Sequence, residues 1–144
     1  MSCVLGFDFG TRRIGVASGN RISQSAQPLA PLAAQAGQPD WSRVDALLAN
    51  WKPEALVIGL PLTLDGGEQK ATRGARAFAD ALAARSGLPV HLVDERHTSQ
   101  EAASRFAARR AAGAARRRDA ANIDSLAAAV ILESWLAQMH LERE

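Results

Sequence analysis

The chain has 144 residues, of which 47% are hydrophobic and 22% charged, with a formal net charge of +2. This is enough for one domain (1–144) with a core that needs neither disulfides nor a structural metal. Its apolar stretches, such as "LAAAVIL" at 126–132, fall far below the roughly 20 residues that span a bilayer. No basic and apolar leader opens the chain, and Cys3 is the only cysteine, so the expectation is a cytoplasmic protein without a membrane partner, with Cys3 buried at a strand start.

"CVLGFDFG" and "RIGVASG" read as two short strands joined by a hairpin, with Gly10 free to take a positive φ at the turn. A third strand is expected at 25–29, where Pro28 marks an edge. "PDWSRVDALLANW" predicts a helix: Asp40 caps it, and Trp41, Val44, Leu47, Leu48 and Trp51 recur at helical spacing. "EALVIGLP" is an apolar strand buried on both faces. After the turn "TLDGGEQ", residues 69–85 suit a helix stopped by Gly87 and Pro89. "VHLVDE" is the next strand, and "TSQEAASRFAARRAAG" the next helix, with Thr98 and Glu101 at capping-box spacing. The last helix is expected at 122–138.

Tightly connected strands pair antiparallel, whereas strand–helix–strand units pair parallel. The predicted fold class is therefore α/β: a five-stranded mixed sheet, three antiparallel strands followed by parallel ones, with helices packed on both faces. Sites in such sheets lie at the carboxyl ends of the parallel strands.

Asp8 interrupts an otherwise apolar strand near its end, between Phe7 and Phe9, whose side chains belong to the other face. Glu95 closes the last strand. Asp124 precedes Ala128, Ile131 and Trp135 by 4, 7 and 11 positions, which places it on the helix stripe that faces the sheet. All three acids thus map to one end. Unit charges about 4 Å apart repel by about 4 kcal/mol at an effective dielectric of 20, so a trio stores roughly 10 kcal/mol, comparable to the roughly 5–15 kcal/mol that stabilises a whole domain. Such a cluster calls for protonation or a divalent cation. Oxygen ligands suit Mg²⁺ or Mn²⁺, and no Cys/His cluster offers a zinc site. Each acid also has an ordinary structural reading, as a turn acceptor, an ion-pair partner or a helix-start charge; the joint pattern favours the cluster.

"GFDFGTRRIGVASG", "VIGLPLTLDGGEQ", "VDERHTSQEA" and "NIDSLAAAVILESWL" resemble, in order and spacing, the four signature blocks of the YqgF-type proteins, also called pre-16S rRNA nucleases or Holliday-junction resolvase-like proteins. The resemblance covers the chain from Leu5 to about Leu136. It implies a ribonuclease H-like fold, metal-dependent phosphodiester hydrolysis with two Mg²⁺ or Mn²⁺ ions, and a role in maturing the 5′ end of small-subunit ribosomal RNA. The family's acidic residues fall on Asp8, Glu95 and Asp124, as catalytic and metal-binding groups. His97 departs from the family pattern, which has an apolar residue there, and reads as a surface change.

Six arginines and no acid lie between Arg105 and Arg118. Arg116, Arg117 and Arg118, with Arg12 and Arg13, are the candidate nucleic-acid contacts, since the guanidinium fork matches phosphate oxygens. Gly59 and the turn after it would let backbone approach a phosphate closely. The expected partner is nucleic acid, precursor ribosomal RNA ahead of branched DNA, with ribosomal particles and a monomer or homodimer as further expectations. Competing readings are a four-way-junction resolvase, a non-catalytic nucleic-acid-binding factor, and an actin-like ATPase, whose phosphate loop "DFGT" resembles but which needs two such domains around a cleft.

Overall fold

The computed structural model describes residues 2–60, 70–94 and 125–143. In chain order these form β1 (Cys3–Asp8), β2 (Arg13–Asn20), β3 (Ser25–Gln35), β4 (Gln38–Pro39), α1 (Trp41–Trp51), β5 (Ala55–Leu60), α2 (Lys70–Ser86), β6 (Val90–Asp94) and α3 (Leu126–Arg143). The sheet order is β4-β3-β2-β1-β5-β6. β1 to β4 pair antiparallel in sequence, while β5 pairs parallel with both β1 and β6. Among the described residues no helix is long and apolar enough to cross a membrane.

The expected mixed sheet is present, with six strands in place of five. The addition is β4, whose two residues pair Gln38 with Gln35 and Pro39 with Ala34. Ala36 and Gly37 turn the chain there at φ 51° and 82°. Two residues are too few to leave an alternating pattern in a sequence. β3 runs well past Leu29, and because β4 reaches only Ala34 and Gln35, Pro28 lies on an open edge as its missing N–H requires. Gly10 needs its lack of a side chain for a different reason from the one expected. It is not among the residues with positive φ; a Cβ there would stand 2.4 Å from the Arg13 carbonyl oxygen. Cys3 opens β1 but is only half-buried, its thiol pushed up in pKa by burial and by the charge of Glu54. The helix expected over 98–113 and the turn 63–69 lie outside the described residues.

α1 begins as predicted: the Asp40 carboxylate accepts from the Ser42 hydroxyl at 2.6 Å and from the Ser42 amide at 3.0 Å, and these bonds, the hydroxyl's first, hold that carboxyl below the usual range. It ends at Lys52 in the left-handed region.

Strand alternation divides the core into two layers. On one face Leu5, Phe7, Ile14, Val16, Leu56 and Ile58 meet Val44 of α1 and Phe78 and Leu82 of α2. On the other, Val4, Ala17, Ala55 and Val57 meet Ala128, Ile131, Leu132 and Trp135 of α3. Glycines on the sheet side of the α3 layer let helix and sheet approach closely. A Cβ at Gly6 would stand 3.0 Å from the Leu132 Cβ, and one at Gly19 2.8 Å from the Leu132 Cδ2. The Leu132 Cβ cannot retreat without moving the helix backbone. Gly6→Ala is therefore expected to destabilise the fold by about 1–3 kcal/mol through overpacking, read as a lower urea midpoint with unchanged m-value.

Candidate active site

The same alternation decides where Asp8 goes. Val4 and Gly6 face α3 while Leu5 and Phe7 face α1 and α2, so Asp8 continues the α3 series at the carboxyl end of β1. Its neighbours along the chain are held from the opposite side. The Phe7 ring meets Phe78 edge-on at 5.7 Å, and the Phe9 ring lies 5.8 Å from the same residue. Trp41 stacks on the far side of Phe78 at 5.8 Å. Aromatic pairs of this kind add about 0.5–1.5 kcal/mol each beyond area burial, and here two of them hold the residues flanking Asp8.

Across the sheet Asp8 pairs with Gly15 on β2 and with Gly59 on β5. Neither neighbour carries a Cβ; Asp8 is half-buried and both glycines are buried. β5 and β6 end at the same edge, where Leu60 pairs with Asp94. Val93, one residue earlier, packs in the α3 layer.

The start of α3 is fastened to this edge by a buried hydrogen bond. The Val16 amide donates to the Ser125 hydroxyl oxygen at 2.9 Å, and Ser125 is fully buried. Val16 is paired with Phe7 and sits where the β2–β3 register slips. The first turn of α3 therefore lies one residue pair from Asp8. Ala128, Ile131 and Trp135, the stripe expected to face the sheet, are 0%, 2% and 8% exposed.

Of the acids picked from the sequence, Asp8 takes the predicted place, and Glu95 and Asp124 lie outside the described residues, as do Arg116, Arg117 and Arg118. Asp94 and Ser125, the described chain neighbours of the two acids, stand at the same end of the sheet as Asp8. Arg12, on the β1–β2 connection, and Arg13, which opens β2, are exposed; the connection is tied down where the Ala34 amide donates to the Arg12 carbonyl at 2.8 Å and the Gly37 amide to the Thr11 carbonyl at 3.0 Å. Among the described residues no three His, Cys, Asp or Glu side chains gather as a metal site. Sequence reasoning missed Ser125 and Gly15. The serine looks like any residue near a helix start, and the glycine like any small residue in a strand; only pairing across the sheet gives them a role.

A family model described as "RuvX: Holliday junction resolvase" matches residues 2–138. Proteins of Xylella fastidiosa (strain M23) and Xanthomonas axonopodis pv. citri (strain 306), each bearing the name "Putative pre-16S rRNA nuclease", are 54% and 52% identical to this chain over 134 residues, covering 93% of it and 86% of their own length. Among solved structures, RuvC of T. thermophilus in complex with a Holliday junction substrate aligns at a TM-score of 0.57 and 21% identity over 96% of both chains. At that identity the likeness establishes a shared, ribonuclease H-like fold.

Removing the Ser125 hydroxyl leaves the buried Val16 amide without this acceptor. Ser125→Ala is expected to cost about 1–3 kcal/mol and to speed hydrogen exchange at Val16 more than at amides in the middle of β1.

Proposed function

Since this chain belongs to the RuvX Holliday junction resolvase family, we propose that it is a metal-dependent nuclease that matures the 5′ end of precursor 16S ribosomal RNA. The nuclease class is that of the family and of relatives more than half identical over 93% of the chain. The observation that carries the chemistry is Asp8, a carboxylate at the carboxyl edge of the sheet with a glycine on either side.

In this reading Asp8, Glu95 and Asp124 together hold two Mg²⁺ or Mn²⁺ ions. Two features support it. The donors are all carboxylate oxygens, which suit hard cations, and Asp8 pairs across the sheet with residues that carry no Cβ, Gly15 and Gly59. When bound, the ion pair supplies activation of a water and stabilisation of the leaving 3′-oxygen in an in-line displacement. The protein's own contribution is position. Phe7 and Phe9, anchored on Phe78, hold the Asp8 backbone, and Ser125 holds the first turn of α3 beside it. Arg12, Arg13, Arg116, Arg117 and Arg118 take substrate phosphates, which fixes register without reading bases. Trp135 is buried and Trp41 and Trp51 pack in the opposite layer, so backbone contacts rather than base stacking dominate.

Precursor ribosomal RNA is favoured as substrate by the relatives' name at 52–54% identity. Branched DNA is the second reading, favoured by the description of the matching family. Incubating the protein with precursor 16S RNA and with a synthetic four-way junction, in Mg²⁺, Mn²⁺ or EDTA, decides between them: mapped 5′ ends on the RNA support the first, and symmetric junction cuts alone replace it with the second. Asp8→Asn is expected to abolish cleavage while leaving the metal-free protein as stable as, or more stable than, the parent by thermal melting. Full activity in that variant removes Asp8 from the chemistry. Replacing Arg116, Arg117 and Arg118 together by Ala is expected to weaken substrate binding and flatten its dependence on salt, measured as Kd across a sodium chloride series.

A further inference from the structure

Phe9, the residue after Asp8, is a meeting point for segments that carry exposed cations. Gly74 of α2 lies directly against its ring: a Cβ there would stand 2.7 Å from Phe9 Cε2. Gly37 closes on the same ring, its added Cβ 3.0 Å from Phe9 Cζ, and its amide is bonded to the Thr11 carbonyl. The first turns of α2 and the connection bearing Arg12 are thus packed around one side chain at the mouth of the candidate site. Lys70, Arg73 and Arg12 are all exposed there.

The placement of Lys70 and Arg73 is unfavourable for the helix alone. α2 has no acid in its first turn, and the first acid within it is Asp80. Cations at this end run against the helix dipole, whereas Arg85, at the other end, agrees with the dipole and is paired bidentately to Asp45 at 2.8 Å on both contacts. An arrangement with no acid in the same helix turn to offset it gains when an anion with many charges lies across it.

We propose that Lys70 and Arg73, together with Arg12, form a phosphate track on the α2 side of the sheet edge, which holds the nucleic-acid backbone flanking the bond cut at Asp8. This rests on the nuclease reading above and extends it to residues of α2. Asp8 belongs to the α3 face and the track to the opposite face, so the substrate strand crosses the sheet edge.

The test uses full-length protein carrying Asp8→Asn, which binds without cutting, and a fluorescent precursor 16S RNA fragment or four-way junction. Adding Lys70→Ala and Arg73→Ala is expected to weaken binding roughly 10-fold at low salt and to lower the slope of log K against log salt by about 1.5, the share of two phosphate contacts at 0.7–0.9 each. Lys70→Gln with Arg73→Gln, which keeps helix-forming side chains, is expected to do the same, and Arg85→Ala to change neither quantity. An unchanged affinity and slope in both double variants, or an equal loss at every salt concentration, overturns the track. If the Asp8→Asn parent binds neither nucleic acid, the nuclease reading itself falls; parent binding with unaltered variants removes only the track.

Discussion

The arrangement around Asp8 depends on one packing constraint: the aromatic side chains on either side of it, Phe7 and Phe9, are both committed to Phe78 of α2. In an extended chain successive side chains alternate, so anchoring both neighbours on one face sends the carboxylate to the other. The chain thereby places a charge on a core strand without burying it fully. Because the strand pairs on both sides within a sheet, its end has little freedom to move, and preorganisation of this kind is what a site handling phosphodiester charge requires.

The two faces of the sheet do different work, and their composition shows it. The α1 and α2 face is filled with large side chains, among them Phe7, Ile14, Leu56, Ile58, Phe78 and Leu82, which define a thick, rigid layer. The α3 face has glycines and alanines among its valines, with Gly6 and Gly19 against Leu132, so α3 lies close. Close approach brings the Ser125 hydroxyl within hydrogen-bonding reach of a strand amide, which fixes where the helix starts. A bulkier residue at Gly6 or Gly19 would disturb that start from several residues away.

Family membership gives a nuclease, and one end of the sheet gathers the elements that the proposed chemistry uses. The carboxyl ends of β1, β5 and β6 and the first turn of α3 meet at one edge. Asp8 has glycines as its cross-strand partners there, and the proposed acids, Glu95 and Asp124, adjoin that edge in sequence through Asp94 and Ser125. α2, which carries Lys70 and Arg73, packs on the other face. In the proposed reading, substrate phosphates and the metal-holding acids fall to separate groups of residues.

Much of this was legible from residue order alone. Period-two and period-3.6 patterns located β1, β2, α1, β5 and α2 to within a few residues, and Asp8 stood out because a charge in an apolar strand is costly unless it has a task. The four motif blocks placed the chain in its family. Local patterns are readable because each residue's propensity and periodicity act over a few neighbours. β4, the length of β3, the role of Gly10, the glycines flanking Asp8 and the Ser125 anchor were decided only by tertiary structure. They arise from which strands lie side by side and how closely a helix approaches, contacts between residues as far apart as Val16 and Ser125, and no local spacing encodes such a pairing.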